Sequence, residues 1–194
     1  MSRLLLKGLA GFALGLALWL GLTEPYNRLV AVSAEGVVRL FEDPNRTDLR
    51  PDGKQVVIYR SDVPVGTKRP GIPLHDLTFN VILLTVLFAI DRRPFSNRNV
   101  GMYLLSLLIL FPTHVFALIA WVQDLYASGF GGEISARYSD LEKSVWTNAI
   151  LFYRLVGQFG IPLILRWSLT PEGSAADPAA PDSRAPKKRR PRRG

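Results

Sequence analysis

Apolar residues are gathered into blocks along this chain instead of recurring at the spacing of a soluble core. The longest block without a formal charge, Val100 to Val122, is long enough to cross a bilayer core of about 30 Å. Leu4 to Leu22 and Val145 to Trp167 form similar blocks, and Leu77 to Ile90 reaches spanning length when residues 72–76 are added. The pattern predicts an all-α integral membrane protein with four transmembrane helices, at residues 1–22, 72–91, 100–122 and 145–168.

The first block has the form of a secretory signal peptide or of a membrane anchor, because Arg3 and Lys7 stand at its amino end. A charged and bulky stretch, residues 24–28, follows it in place of the small residues of a cleavage site, which favours a retained anchor. Gly11 and Gly15 form a GxxxG spacing, which we interpret as a helix-packing surface.

Residues 23–71 separate the first two blocks and carry nearly balanced charge. Thr23 is suited to cap a helix whose first turn holds Pro25. Apolar residues at helical spacing then predict an amphipathic helix, at Tyr26, Leu29, Val30, Val37, Leu40 and Phe41. The turn signal Arg50 to Gly53 and the β-prone run Gln55 to Tyr59 predict a short hairpin. We expect a small external helix-plus-hairpin insertion that serves either as a docking surface or as a compact cover of the bundle.

The distribution of charge predicts the orientation of the chain. The amino end, residues 92–99 and the carboxyl end are basic, whereas residues 123–144 are acidic. The positive-inside rule then makes 92–99 a cytoplasmic loop and 123–144 an external loop, with both termini in the cytoplasm. The expected location is the inner, cytoplasmic membrane of a bacterium.

Residues 169–194 differ in composition from the rest of the chain. Pro, Ala, Ser and Asp dominate first, and seven basic residues lie in the last eleven positions, so they supply most of the net charge of +8. This composition predicts a disordered basic cytoplasmic tail. Behind a membrane span, such a cluster is expected to contact anionic lipid and not nucleic acid, through Lys187, Lys188, Arg189, Arg190, Arg192 and Arg193.

Several kinds of chemistry are excluded or disfavoured by composition. The chain has no cysteine, which removes disulfides, thiolate metal sites and cysteine nucleophiles. It has two histidines, so a zinc site made by the protein alone is not expected, and no cofactor is predicted. His75 and Asp76 are adjacent at the expected start of the second span, and we interpret them as interfacial residues.

Polar residues inside the spans suggest a candidate pocket. Counted from the external ends of the antiparallel third and fourth spans, His114 and Arg154 each lie eight residues deep, about 12 Å at the rise of a helix. A charged Arg in a span must face protein or water. The predicted pocket therefore comprises His114, Arg154, Asn80, Asn148 and Gln158. It either binds an anionic or peptide group or holds the helices in register, and neither interpretation supplies a nucleophile.

The layout resembles a family of small multi-pass proteins, the exosortase H-associated membrane proteins. The similar features are Pro25-Tyr26 with Leu29 after the first span, Leu77 to Val81 at the start of the second, His114 in the third, and Phe152-Tyr153 to Ile161-Pro162 in the fourth. They cover most of the membrane region but not the tail from Pro171. The resemblance implies an accessory role beside an enzyme that processes surface proteins bearing a C-terminal motif, a span and a basic tail.

Exosortases themselves are also multi-pass and use a cysteine nucleophile, which this chain does not contain. The expected function is thus that of a non-enzymatic accessory protein whose partners are membrane lipid and an exosortase-type enzyme or its substrates. The alternative is an intramembrane enzyme or small transporter that uses the pocket of His114 and Arg154.

Overall fold

The computed structural model describes residues 2–41, 46–64, 66–130 and 137–169. It is mostly helical, as predicted, with one small sheet. Helix α1 runs unbroken over Ser2–Val38. The prediction that a new helix starts at Thr23 is wrong, because the Thr23 hydroxyl donates to the Trp19 carbonyl inside α1, and Pro25 is accommodated within the helix.

The second half of α1 has one buried face, which differs in part from the predicted one. Its buried positions recur at helical spacing, at Asn27, Val30, Ala31, Ala34 and Val38. Leu29, Leu40 and Phe41, which the sequence pattern assigned to the same face, are exposed. The smaller residues Ala31 and Ala34 take the inner face because the sheet packs closely against it.

The predicted hairpin is present, formed by β1 over Thr47–Asp52 and β2 over Gln55–Arg60. Its tight turn places Gly53 at φ 58°, a conformation that glycine adopts without strain. A third strand, β3 over Gly71–Pro73, pairs antiparallel with β2 and was not predicted. Leu49, Val56 and Ile58 of the hairpin are buried against α1, so the sheet is supported by that helix.

The apolar segment that follows β3 is short. Helix α2 covers Leu74–Thr78 and helix α3 covers Asn80–Ala89, and together they make one apolar helical stretch, Leu74–Ala89. At the rise of a helix, these sixteen residues extend about 24 Å. The stretch is shorter than the predicted second span because residues 71–73 form a strand.

Two longer helical segments complete the fold. Helix α4 covers Asn97–Ala127 and includes Pro112. Helix α5 covers Asp140–Phe152, a π-helical turn covers Tyr153–Gly157, and α6 covers Gln158–Ser168. Both segments extend beyond the predicted spans. Ser139 caps α5 and forms a reciprocal pair with Glu142, which is why this helix begins before residue 145.

In the part of the chain that the structure describes, three helical segments are long and apolar enough to cross a membrane, namely Arg3–Val38, Asn97–Ala127 and Asp140–Ser168. The helices pack along their length, and α1 contacts α3 through Gly11 and Gly15. A Cβ added at Gly11 would lie 2.5 Å from the Cβ of Ala89, so only glycine allows this approach. The interpretation of the GxxxG spacing as a packing surface is confirmed.

Candidate functional site

A buried polar cluster lies where α1, α3, α4 and the π-helical turn meet. His114 of α4 is its centre and has a relative exposure of 0%. Its Nδ1 lies 2.6 Å from the hydroxyl of Tyr26, and its Nε2 lies 2.8 Å from Oδ1 of Asn80. Both ring nitrogens are therefore engaged within the protein.

The cluster continues from Asn80 to a second tyrosine. Nδ2 of Asn80 donates to the hydroxyl of Tyr153 over 3.4 Å, and that hydroxyl donates to the carbonyl of Leu77 over 3.0 Å. The Asn80 oxygen can only accept, so Nε2 of His114 carries the proton, and Nδ1 of the neutral ring accepts from Tyr26. The result is one directed chain of four hydrogen bonds from Tyr26 to the Leu77 carbonyl.

Aromatic rings surround this chain of hydrogen bonds. The rings of Tyr26 and Tyr153 both meet the imidazole of His114 edge to face, with centroids 5.7 and 6.5 Å apart. Phe111 of α4, the residue before Pro112, packs edge to face against Tyr26. The polar atoms are thus satisfied among themselves and enclosed by rings, which is the arrangement that makes a buried network stabilising.

Two members of the predicted pocket lie elsewhere. Arg154 is exposed, and its guanidinium stands over the ring of Trp121 at 5.3 Å from the centroid. Asn148 is also exposed, and its amide donates to the Ser144 carbonyl one turn earlier. The prediction that Arg154 turns toward His114 is wrong. Tyr153 takes the inward position, so the charge of the next residue is kept out of the core.

The other predicted polar residues lie near the start of α2. Gln158 is buried and its amide donates to the Asp76 carbonyl. His75 and Asp76 are partly exposed, with Nε2 of His75 3.1 Å from Oδ1 of Asp76 and Nδ1 of His75 3.1 Å from the Lys54 carbonyl. The basic cluster proposed to contact lipid, residues 187–193, lies outside the described residues.

Sequence reasoning missed a polar contact at the opposite end of the bundle. Arg166 of α6 pairs with Asp91 at 2.8 Å and also donates to the Leu87 carbonyl. Nζ of Lys7 donates to the Asp91 carbonyl over 2.6 Å. These contacts bring the ends of α1, α3 and α6 together. The sequence does place a charged residue next to each of these apolar blocks. The orientation prediction used such residues only for the sign of their charge and did not pair them with one another.

Tyr26 was the partner of His114 that sequence reasoning did not assign. It stood in the predicted external helix, so its depth was known only once α1 was found to run unbroken past Pro25. Tyr153 was not part of the predicted pocket either, and its hydroxyl accepts from Asn80.

The fold and the cluster define a mostly helical protein with three helices of membrane-spanning length and a closed internal network. Among the described residues there is no group of three or more histidine and carboxylate side chains that could hold a metal ion. Comparisons of the chain with protein-family models, curated proteins and solved structures found no match. The role of the cluster therefore has to follow from its own contacts and burial.

Proposed function

We propose that this chain is a four-span protein of the bacterial inner membrane that acts as a non-enzymatic accessory of an exosortase-type sorting system. The observation that carries the non-enzymatic part is the closure of the polar cluster. His114 is fully buried and both of its nitrogens are bonded to neighbouring helices. An enzyme or transporter would need substrate or water to reach that ring.

Contacts at both ends of the short second segment support four crossings. The carboxyl end of α3 meets Lys7 near the amino end of α1 and Arg166 near the end of α6. The amino end of α2 meets the hairpin, where His75 contacts the Lys54 carbonyl. Leu74–Ala89 thus runs from the end of the bundle that holds Lys7 and Arg166 to the sheet, and its longer neighbours continue beyond it.

The sheet supports the accessory role. It is packed on α1 and joined to it by a hydrogen bond from the Leu49 backbone to the Glu35 carboxylate, 3.1 Å long. A small sheet held rigidly at one end of a membrane bundle suits protein docking, because its outer face needs no rearrangement before contact. The identity of the enzyme it docks rests on the family resemblance of the membrane segments.

Photo-crosslinking in native membranes tests this proposal. A photoreactive residue would replace Tyr59 on the sheet in one variant and Phe95 in the loop before α4 in another. We expect the Tyr59 variant to capture a multi-pass protein with a catalytic cysteine, and the Phe95 variant to capture it less. Recovery of no such protein, under conditions that preserve other membrane complexes, would contradict the accessory role.

A further inference from the structure

A cavity of about 650 Å³ lies at the end of the bundle that carries the sheet, apart from the His114 cluster. The end of α1, the end of β2, the last turns of α4 and the start of α5 line it, and it is open on one side. Its volume falls in the range of small-molecule sites. Nothing in the roles described so far uses it.

The polar part of the cavity is cationic. Among the described residues that line it are three arginines, Arg46, Arg60 and Arg137, and one carboxylate, Glu142. The Arg60 side chain is 0% exposed and is fixed by Asp62 and by Thr47, with its guanidinium 4.4 Å from the centroid of the Tyr126 ring. Arg60 is therefore a fixed, buried part of the cavity wall, and its charge is paired with Asp62.

The rest of the lining is apolar and faces the membrane-spanning part of the bundle. Ile119 lies inside the uncharged run of α4 and Gln123 lies one residue beyond its end. Trp146 and Phe41 complete this side, and Phe41 is 82% exposed although it is strongly apolar. The cavity thus spans the level at which the apolar run ends, where Trp is typical of a membrane interface.

We propose that this cavity binds the phosphate-bearing headgroup and upper acyl chains of an anionic phospholipid. Arg46 and Arg137 contact the phosphate, while Arg60 stays paired with Asp62 in the cavity wall. Ile119, Trp146 and Phe41 contact the first methylenes. The combination of cationic and apolar walls fits one amphipathic molecule better than a free anion, which would leave the apolar wall unused. The inference rests on the membrane placement in the proposed function but not on the exosortase partner.

Native mass spectrometry of the full chain in mild detergent tests the inference. The chain is titrated with phosphatidylglycerol or with phosphatidylcholine of the same acyl chains. We expect the protein to retain phosphatidylglycerol in preference to phosphatidylcholine. Arg137→Gln should reduce this retention about fivefold, which is the effect expected from losing one basic residue near a membrane surface. Arg137→Lys should restore most of the retention. Lys143→Gln is the matched control. Lys143 is a cation six residues after Arg137, but it pairs with Asp140 and does not line the cavity.

Several results would overturn the inference. Equal retention of the two lipids would remove the headgroup preference, and an equal loss in Lys143→Gln would reduce it to general surface charge. Competition by inorganic phosphate at the same concentration as lipid would assign the cavity to a soluble anion, and stronger competition by an acidic peptide would assign it to a protein segment. If crosslinking finds no sorting enzyme while the lipid preference holds, only the partner assignment fails.

Discussion

Tyr26 determines whether His114 is fully satisfied in the core, because its hydroxyl is the donor to Nδ1 at 2.6 Å. Tyr26→Phe keeps the ring and removes that donor. The histidine nitrogen is then left buried without a partner, and we expect the free energy of unfolding to fall by about 1–2 kcal/mol. Reversible denaturation of the detergent-solubilised protein, followed by circular dichroism, measures this change.

Tyr59→Phe is the matched control for that variant. Tyr59 lies in the sheet, and its contacts are made by its ring, which faces the guanidinium groups of Arg50 and Arg69. Loss of its hydroxyl should change the free energy of unfolding by less than about 0.5 kcal/mol. Equal effects of the two substitutions would mean that the Tyr26 hydroxyl does not stabilise His114.

Asp62 gives the sheet end of the molecule a dependence on pH. A hydrogen bond from the Arg60 side chain lowers the pKa of Asp62 below its ordinary value of 3.8. Since the pKa is lower in the folded state, the ionised carboxylate stabilises the fold above the ordinary pKa, and this contribution is lost as the pH falls through the folded-state value. Stability curves of the wild type and Asp62→Asn should therefore differ at pH 6 and begin to converge as the pH falls below about 4.

A constant difference between those two curves from pH 6 to pH 3 would show that the Asp62 charge does not contribute. The Arg60 side chain is buried, so the neutral variant leaves a cation with a weaker partner and should be the less stable protein at pH 6. The unfolding midpoint at each pH is the quantity to compare.

At the scale of single side chains, the sequence predicted which polar residues lie within the apolar helices but not the direction in which each of them points. His114 and Asn80 were expected together and are 2.8 Å apart. Arg154 was expected beside them and lies outside. The ring of its neighbour Tyr153 can be buried because its single hydroxyl is hydrogen-bonded to Asn80. A buried guanidinium would need several acceptors. Choosing between adjacent inward positions depends on the exact rotation of the helix, and the π-helical turn alters that rotation.

Among the elements, the contact between α1 and α3 depends on glycine. A Cβ at Gly11 would lie 2.5 Å from the Ala89 Cβ and 3.2 Å from the Val86 Cα, a backbone atom. Gly11→Leu should force the helices apart and lower the free energy of unfolding by about 1–3 kcal/mol. The control is Gly21→Leu in the same helix, because a Cβ there meets no described atom within 4 Å. The same denaturation measurement applies, and equal losses would contradict the packing role.

Element boundaries were predictable where they depend on local residue chemistry. The turn at Gly53 and the alternation in β2 were sufficient for the hairpin, which is confirmed. The unbroken course of α1 was not predictable, since Thr23 and Pro25 form a good helix start in isolation. Packing of Val30, Ala31 and Ala34 against the sheet stabilises the continuous helix, and that long-range contact is absent from local sequence patterns.

For the whole molecule, the number of crossings depends on the short segment Leu74–Ala89. The chain has no cysteine, so single cysteines placed at Lys54, Arg93 and Lys143 report their sides of the membrane without background. Four crossings put Lys54 and Lys143 outside and Arg93 inside. A membrane-impermeant maleimide applied to intact spheroplasts should label the first two at once and Arg93 after permeabilisation.

A segment that enters the membrane and returns gives a different pattern in the same experiment. Lys54 and Arg93 would then share a side and Lys143 would lie on the other, because Asn97–Ala127 still crosses. We expect the four-crossing pattern, since the end of the short segment contacts Lys7 and Arg166 while its start contacts the hairpin. Labelling of Arg93 together with Lys54 would leave three crossings and put Arg60 and Arg137 on opposite sides of the membrane, so the cavity that both residues line could not form.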